Sequence, residues 1–396
     1  ELLGSHLLAF AHESSVPAGG ALAVDREQFA SLVTDALVQA GVARIEAEVV
    51  GIDPSGAFII EDAHHEGPYI LEDPAPFCII ATGPLTSPAL AESLRALTGE
   101  DHLSFYDAAA PIVYADSLDY DVVFGQSRYE EGVGDYLNAP FNKEEYEAFA
   151  QELIDARCVI KKEFESSDLF QACQPIEEIA RKGFDAPRFG PLKPVGLVDP
   201  RTQKRPWAVV QLRAEGRDKQ CYNLVGFQTN LAFPEQERVF RMIPGLEQAQ
   251  FARYGVMHRN TFINAPELLN CHLELQSAAS RALPVRLYVA GQLSGTEGYV
   301  EAIASGLLAS LSVRAAARGI ELDPIPRESA FGALIDYATD PETKDYQPMH
   351  VNFGILPPFE ERIRNKQQRY EAYAQRGSEA MKSYVSALAP LLEGTN

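Results

Sequence analysis

What this sequence lacks narrows it first. No G-x-G-x-x-G occurs, so the glycine fingerprint that cradles a dinucleotide pyrophosphate after an opening strand is missing from these residues. The cysteines number five (Cys78, Cys158, Cys173, Cys221 and Cys271), too few and too scattered for a disulfide framework. No C-x-x-C is present, and no metal site is expected. That usage fits a reducing cytoplasm. No apolar run approaches the roughly 18–20 residues of a membrane span, so no membrane partner is expected. The opening ELLGSHLLAFAHESS is acidic and lacks the basic region of a secretory signal. It reads as an amphipathic helix entered partway along, and N-terminal truncation is the expectation. Cations are also short. The formal net charge of −22 argues against broad nonspecific nucleic-acid binding, while leaving a local basic face open.

What is present suits a globular protein of two domains: 396 residues, 46% hydrophobic and 23% charged. The richest stretch is VRLYVAGQLSGTEGYVEAIASGLLA, residues 285–309. A short apolar run meets Gly291, and Gly295 and Gly298 lead into an Ala/Leu-rich helix. Strand, glycine loop and helix N-terminus together predict a place where backbone N–H groups face an anionic or electron-rich ligand. At the end of a chain this size, that layout suggests the second half of a flavin site. Glu297, between two of the glycines, either acts through its charge or favours the helix start. PFCIIATG predicts a buried strand ending in small residues, which lets a ligand approach the backbone at the carboxyl edge of an open sheet.

Asp25 predicts the N-cap of a helix with Phe29, Leu32, Val33, Ala36 and Leu37 as its apolar face and Gly41 as its stop. RIEAEVVGID and GAFIIEDA predict a meander turning at Pro54-Ser55-Gly56. Between about Phe105 and Leu283 the composition shifts toward Tyr, Pro and charge. Helices at 143–157 and 175–182 alternate there with strands at 207–212 and 221–227. A second α/β domain inserted before the strand at 285 is the expectation.

Three groups of residues could carry chemistry. Cys173 lies just before a helix N-terminus, where the dipole favours a thiolate and Glu177 and Glu178 partly offset it. It is either a nucleophile or a buried small hydrophobe. His258, Arg259 and Asn260 gather a ring, a fixed cation and an amide that could stack on and hydrogen-bond a heterocycle; the bland reading is a solvated strand edge. Lys193 and Arg201 stand among prolines in FGPLKPVGLVDPRT, either set against phosphates or part of a domain connector. His64-His65 read as a surface turn.

The blocks ATGPLTSPAL (81–90), CQPIEEIARKGFD (173–185), FGPLKPVGLVDPRT (189–202), LVGFQTNL (224–231), RYGVMHRNTFINAP (253–266) and AGQLSGTEGYVEA (290–302) resemble the TrmFO family. These are FAD- and methylenetetrahydrofolate-dependent tRNA uridine-5-methyltransferases. The resemblance runs nearly collinearly from about Pro17 to Pro358. It implies an α/β fold: a glutathione-reductase-like FAD-binding domain in 1–104 and 284–358, an inserted α/β domain in 105–283, and a charged C-terminal helix in 359–396. It implies 5-methyluridine formed in the T-loop of tRNA, the one carbon passing from the folate through reduced FAD, with NAD(P)H as reductant and a cytoplasmic location. By motif, Cys173 matches a catalytic cysteine that adds to C6 of the base. Thr82, Gly83, Gly291, Gly295, Gly298 and Tyr299 match flavin-contacting segments. His258, with Arg259 and Asn260, falls where the family's folate-stacking histidine lies. Lys193, Arg362 and Arg364 are candidates for RNA phosphate contact. The family's dinucleotide fingerprint and a second functional cysteine would precede Glu1. The first β-α unit is therefore expected to be absent, and FAD to be bound poorly. The alternatives are a wobble-uridine flavoprotein of the MnmG type and a non-catalytic RNA-binding fragment.

Overall fold

The computed structural model describes residues 2–71, 75–99, 103–128, 134–159, 174–215, 218–344, 346–361 and 363–392. The chain divides into two compact units. The first comprises Glu1–Leu8, Ala43–Ser104 and Asn260–Asn396, the second Ala9–Val42 and Phe105–Arg259. Of the expected inserted domain, residues 105–259 fall in the second unit and 260–283 in the first, while 9–42 join the second.

In the first unit, Phe77–Ile80 pairs in parallel with Arg286–Val289, with Phe77 opposite Arg286 and Ile80 opposite Val289. Leu287, Tyr288 and Val289 are buried, as an apolar run in a parallel pair requires. Arg286, exposed at the entrance, forms a two-pronged bond to Glu274 at 2.7 Å on each oxygen. Glu48–Ile52, Phe58–Glu61 and Tyr69–Ile70 form the antiparallel meander. Its turn is closed by the Asp53 carboxylate, which accepts from the N–H groups of Ser55 (2.8 Å) and Ala57 (3.0 Å). Gly56 has φ +82°, and a Cβ there would stand 2.5 Å from Val285 Cγ1. The meander is thus seated on the residue that opens the second parallel strand.

Pro88–Thr98 follows the first parallel strand as a helix, with Ser87 as its N-cap, proline in its first turn and left-handed Gly99 as its stop. The helix Tyr299–Arg318 follows the second. It corrects one sequence expectation: at 20 residues and a mean hydropathy of 1.4 it is long and apolar enough to cross a membrane. Glu301, Arg314 and its Ser and Gly residues interrupt the apolar run, but the Ala, Val, Ile and Leu residues keep the average high, so no unbroken run is visible in the sequence. Leu308, Ala309, Leu311 and Ala315 are buried within the unit, and the core helix of a protein in water passes the same test.

The second unit is built on a six-stranded sheet in the order Phe251–Arg253, Ile112–Tyr114, Cys221–Leu224, Ala208–Glu215, Tyr136–Phe141, Phe124–Gly125. Every pairing in it is antiparallel. Lys143–Asp155 packs on this core. Asn142 and Glu145 close a capping box, and Tyr146, Phe149, Ala150 and Leu153 recur at helical spacing on the buried face. Phe141, Phe149, Phe227 and Phe240 continue ring to ring with centroids 5.1, 6.2 and 5.3 Å apart. Truncating a buried ring of this kind costs about 3–5 kcal/mol. Asp25 caps Arg26–Gln39 as expected, accepting from the N–H groups of Glu27 and Gln28 at 3.1 Å. Of that helix's predicted apolar face, Phe29, Leu32, Val33 and Ala36 are half-buried and Leu37 is exposed.

Candidate functional site

The parallel register decides where the two glycine loops meet. Ile80 stands opposite Val289, and the Ala290 N–H donates to the Ile80 carbonyl at 2.9 Å. Ala81-Thr82-Gly83 and Ala290-Gly291 therefore leave from one carboxyl edge, the place where open α/β sheets bind ligands. Gly83 (φ +71°) and Gly291 (φ +72°) are both left-handed. A Cβ at Gly83 would meet nothing within 4 Å, and one at Gly291 only Ala302 Cβ at 4.0 Å. Open space beside a side-chain-free backbone is what a close-lying planar ligand needs.

Gly295 and Gly298 have a different reason to be glycine. At Gly295 (φ +79°) a Cβ would run into the Tyr346 hydroxyl, which donates to the Ser294 carbonyl at 2.8 Å. At Gly298 (φ +108°) it would run into the Glu301 carboxylate, which also accepts from the Val351 N–H at 3.1 Å. Burial pushes the Tyr346 phenol far above its usual range, so it remains a donor. The loop's N–H groups differ from the sequence expectation. Those of Gly291, Gly295 and Glu297 bond internally, to Ser305 Oγ (2.7 Å), the Gln292 carbonyl (2.9 Å) and the Met349 carbonyl (3.0 Å). The donors left for a ligand lie at the start of Tyr299–Arg318, whose N-cap Gly298 offers no side-chain cap. Tyr299 there is 93% exposed. Glu297 is buried and accepts from Gln292 Nε2 at 2.7 Å.

Asn260 joins this neighbourhood. It is buried, and its successors tie both loops together: the Thr261 N–H donates to the Pro84 carbonyl (2.8 Å) and that of Ile263 to the Leu293 carbonyl (2.9 Å). His258 and Arg259 lie in the strand Met257–Phe262, described in backbone only. Cys173 and Arg362 lie outside the described residues. Lys193 and Arg364 are exposed. Arg201 is paired with its own Asp199 at 3.0 Å. His65 bonds Asp62 and packs on Tyr69 in an exposed turn, matching the surface reading. Cys78, in its strand, is pushed up to about 11 by burial, which makes it a poor nucleophile.

The second unit holds an arrangement that sequence reasoning missed. Ile176–Lys182 begins at Pro175, and Glu177 in its first turn is wholly buried. Its carboxylate accepts from the Thr229 hydroxyl (2.9 Å) and the Asn230 N–H (2.6 Å). Burial pushes the carboxyl up to about 7, against the lowering effect of those bonds and of Arg181. The same short segment holds both flanks of residues 160–173: Ile176 N–H donates to the Gln228 carbonyl, and Val159 N–H to the Asn230 carbonyl, each at 2.8 Å. A cavity of about 150 Å³ opens beside it, lined by Val159, Thr229, Asn230, Phe233, Gly255 and Met257 among others. Buried Gln236 joins its walls, donating to the carbonyls of Leu231 (2.7 Å) and Gly255 (2.8 Å) and accepting from the Gly255 N–H (2.8 Å). Among the described residues no cluster of three or more His, Cys, Asp and Glu side chains could hold a metal.

Comparison with known proteins agrees with this architecture. The model of the family "glucose inhibited division protein A" matches residues 1–321. The methylenetetrahydrofolate–tRNA-(uracil-5-)-methyltransferase TrmFO of Heliobacterium modesticaldum is 47% identical over 384 residues, covering 97% of this chain and 82% of the relative. The protein of the same name from Desulforudis audaxviator is 48% identical, with the same coverage. Two structures of Aquifex aeolicus GidA share the fold at 18% identity. One has a TM-score of 0.58, covering 93% of this chain and 63% of that one; the other has 0.53, with 80% and 52%. With a family model over most of its length and near-half identity to these relatives, the chain belongs to the TrmFO family, within the wider GidA group.

Proposed function

We propose that this chain is a tRNA methyltransferase that forms 5-methyluridine in the T-loop, with methylenetetrahydrofolate as one-carbon donor, FAD as cofactor and NAD(P)H as reductant, acting in the cytoplasm. The observation that carries the reading is the 47% identity, over 97% of the chain, to a relative named for that chemistry. The open backbone at Gly83 and Gly291 fits part of a flavin site, with Thr82, Gly295, Gly298 and Tyr299 around it. The pyrophosphate cradle is another matter, since the sequence holds no G-x-G-x-x-G. When bound, the flavin supplies the one-carbon and hydride chemistry.

The chain's own residues would do the rest. His258, Arg259 and Asn260 would hold the folate, and the target base would leave its stack to enter the site. The Cys173 thiolate would add to C6 of the uracil, pushing the double-bond pair toward C5 and the C4 carbonyl. That makes C5 the nucleophile that accepts the carbon. Loss of the C5 proton would then expel the thiolate and restore the ring; release of the methylene from its carrier and the hydride that makes it a methyl group belong to the chemistry that the flavin would supply when bound.

The test is the product. Chain, tRNA transcript, methylenetetrahydrofolate, NADPH and excess FAD are incubated, and the nucleosides are mapped by mass. A methyl group on a T-loop uridine is expected. A modified wobble uridine would favour the MnmG type, and tRNA binding without product would leave an RNA-binding fragment. Cys173→Ala should abolish turnover while flavin binding persists; unchanged turnover would remove Cys173 from the mechanism.

A further inference from the structure

Residues 188–207 run against the charge of the whole chain. They hold five cations (Arg188, Lys193, Arg201, Lys204 and Arg205) and one acid, Asp199, in a protein of net charge −22. Arg201 is neutralised by Asp199, through Nε (3.2 Å) and Nη2 (3.0 Å). Lys193, Lys204 and Arg205 are exposed and form no ion pair among the described residues. Their backbone is held stiffly. The Val209 N–H donates to the Leu192 carbonyl (3.0 Å), and a tight turn joins Asp199 N–H to the Lys204 carbonyl (3.0 Å), with prolines at 191, 194, 200 and 206. Beside them the Arg188 guanidinium lies 3.8 Å from the Trp207 ring centroid and 5.2 Å from that of Phe189. Phe189 is 74% exposed, an unusual position for a phenylalanine.

We infer that this face of the second unit is a docking surface for RNA, in which Lys193, Lys204 and Arg205 contact phosphates and Phe189, backed by Arg188, stacks on an unpaired base. The inference rests on the tRNA reading above and adds the surface. Cations that form no ion pair among the described residues, next to an aromatic platform, are the two parts that single-stranded nucleic acid needs. An acidic protein would satisfy the cations and leave Phe189 without a role.

The test is the affinity of the full chain for a labelled tRNA transcript, measured by anisotropy over a series of salt concentrations. The triple variant Lys193→Ala, Lys204→Ala, Arg205→Ala should bind at least about tenfold more weakly near 0.1 M salt. Its plot of log affinity against log salt should be shallower by about 2–3. Phe189→Ala should lose about 5- to 100-fold with an unchanged slope. Arg44→Ala, Lys344→Ala, Lys382→Ala removes the same charge elsewhere and should leave the slope intact. Wild-type binding with an unaltered slope in the first triple, an equal loss in the control triple, or full affinity in Phe189→Ala overturns the surface and leaves the methyltransferase reading standing. No RNA binding by the wild-type chain overturns both.

Discussion

In the first unit the candidate site is made by removing side chains, at Gly83 and Gly291. In the second it is made by burying polar ones, at Glu177, Thr229, Asn230 and Gln236. The two methods have different energetics. A glycine loop costs backbone entropy and gives access, because nothing stands between a ligand and the main chain. A buried polar network gives rigidity and depends on every partner, since an unmatched polar group in low dielectric is far costlier than a missing apolar contact. The first unit's loops suit a planar cofactor lying on the backbone. The second unit's network suits the fixing of one short segment, Gln228–Leu231, onto which both flanks of residues 160–173 are bonded.

If that contrast holds, the largest stability loss should come from the second unit. Gln236→Leu keeps the volume roughly constant but removes all three bonds of the amide, facing the Leu231 carbonyl and both backbone groups of Gly255. Each buried group so stranded costs about 1–3 kcal/mol, and the sum over the three should be about 3–9 kcal/mol in urea unfolding. A loss below about 1 kcal/mol would mean that this network is not rigid and that the contrast fails.

Gly295→Ala sharpens the other side. Left-handed backbone alone costs an alanine about 1–2 kcal/mol. At Gly295 the methyl must also displace the buried Tyr346 hydroxyl from the Ser294 carbonyl, for an expected total of about 2–4 kcal/mol. Gly83→Ala, with φ +71° and nothing within 4 Å, should show only the first term. Equal losses at the two positions would show that crowding does not distinguish closed glycines from open ones.

The same contrast explains what could be read in advance. Glycine is a residue type whose presence at a strand end carries its own message, so 81–83 and 291–298 were legible one by one, while the parallel pairing that joins them came from the structure. The capping residue Asp25 was legible for a similar reason: its chemistry acts within three residues. Glu177 was not. In CQPIEEIARKG the two glutamates read alike as first-turn acids, yet Glu178 pairs with Arg181 while Glu177 is wholly buried. One helical step separates the two fates, and only the position of residues 228–231 decides between them. Gln236 in FPEQERVF is hidden in the same way. Two of the loop's N–H bonds were also out of reach, those of Gly291 and Glu297, because their acceptors Ser305 and Met349 are remote in sequence. Arg26–Gln39 shows a milder difference: four residues of its apolar face, Phe29, Leu32, Val33 and Ala36, are only half-buried, and Leu37 is exposed.

The most diagnostic effect is one whose sign depends on pH. Glu177 rises from an ordinary value of 4.5 to about 7 on folding, chiefly through burial. Between those values the folded chain binds more protons than the unfolded one, so stability is full below about 4.5 and falls as pH rises toward 7. Besides Arg181 and Glu178 on its own helix, the titratable group facing it among the described residues is Cys158, whose thiol burial also pushes up. Glu177→Gln is neutral throughout. Its oxygen can accept from the Asn230 N–H and its amide can donate to Thr229 Oγ, which still accepts from the Leu231 N–H at 3.1 Å. The variant should therefore match the wild type near pH 5 and exceed it at pH 8 by on the order of 2 kcal/mol, read as urea midpoints at the two pH values. If the variant is instead weaker at pH 8, the ionised carboxylate is the form that the Thr229 and Asn230 donors require. The network would then be organised around a charge that the interior accepts, and burial would not be the stronger of the two opposing effects on Glu177.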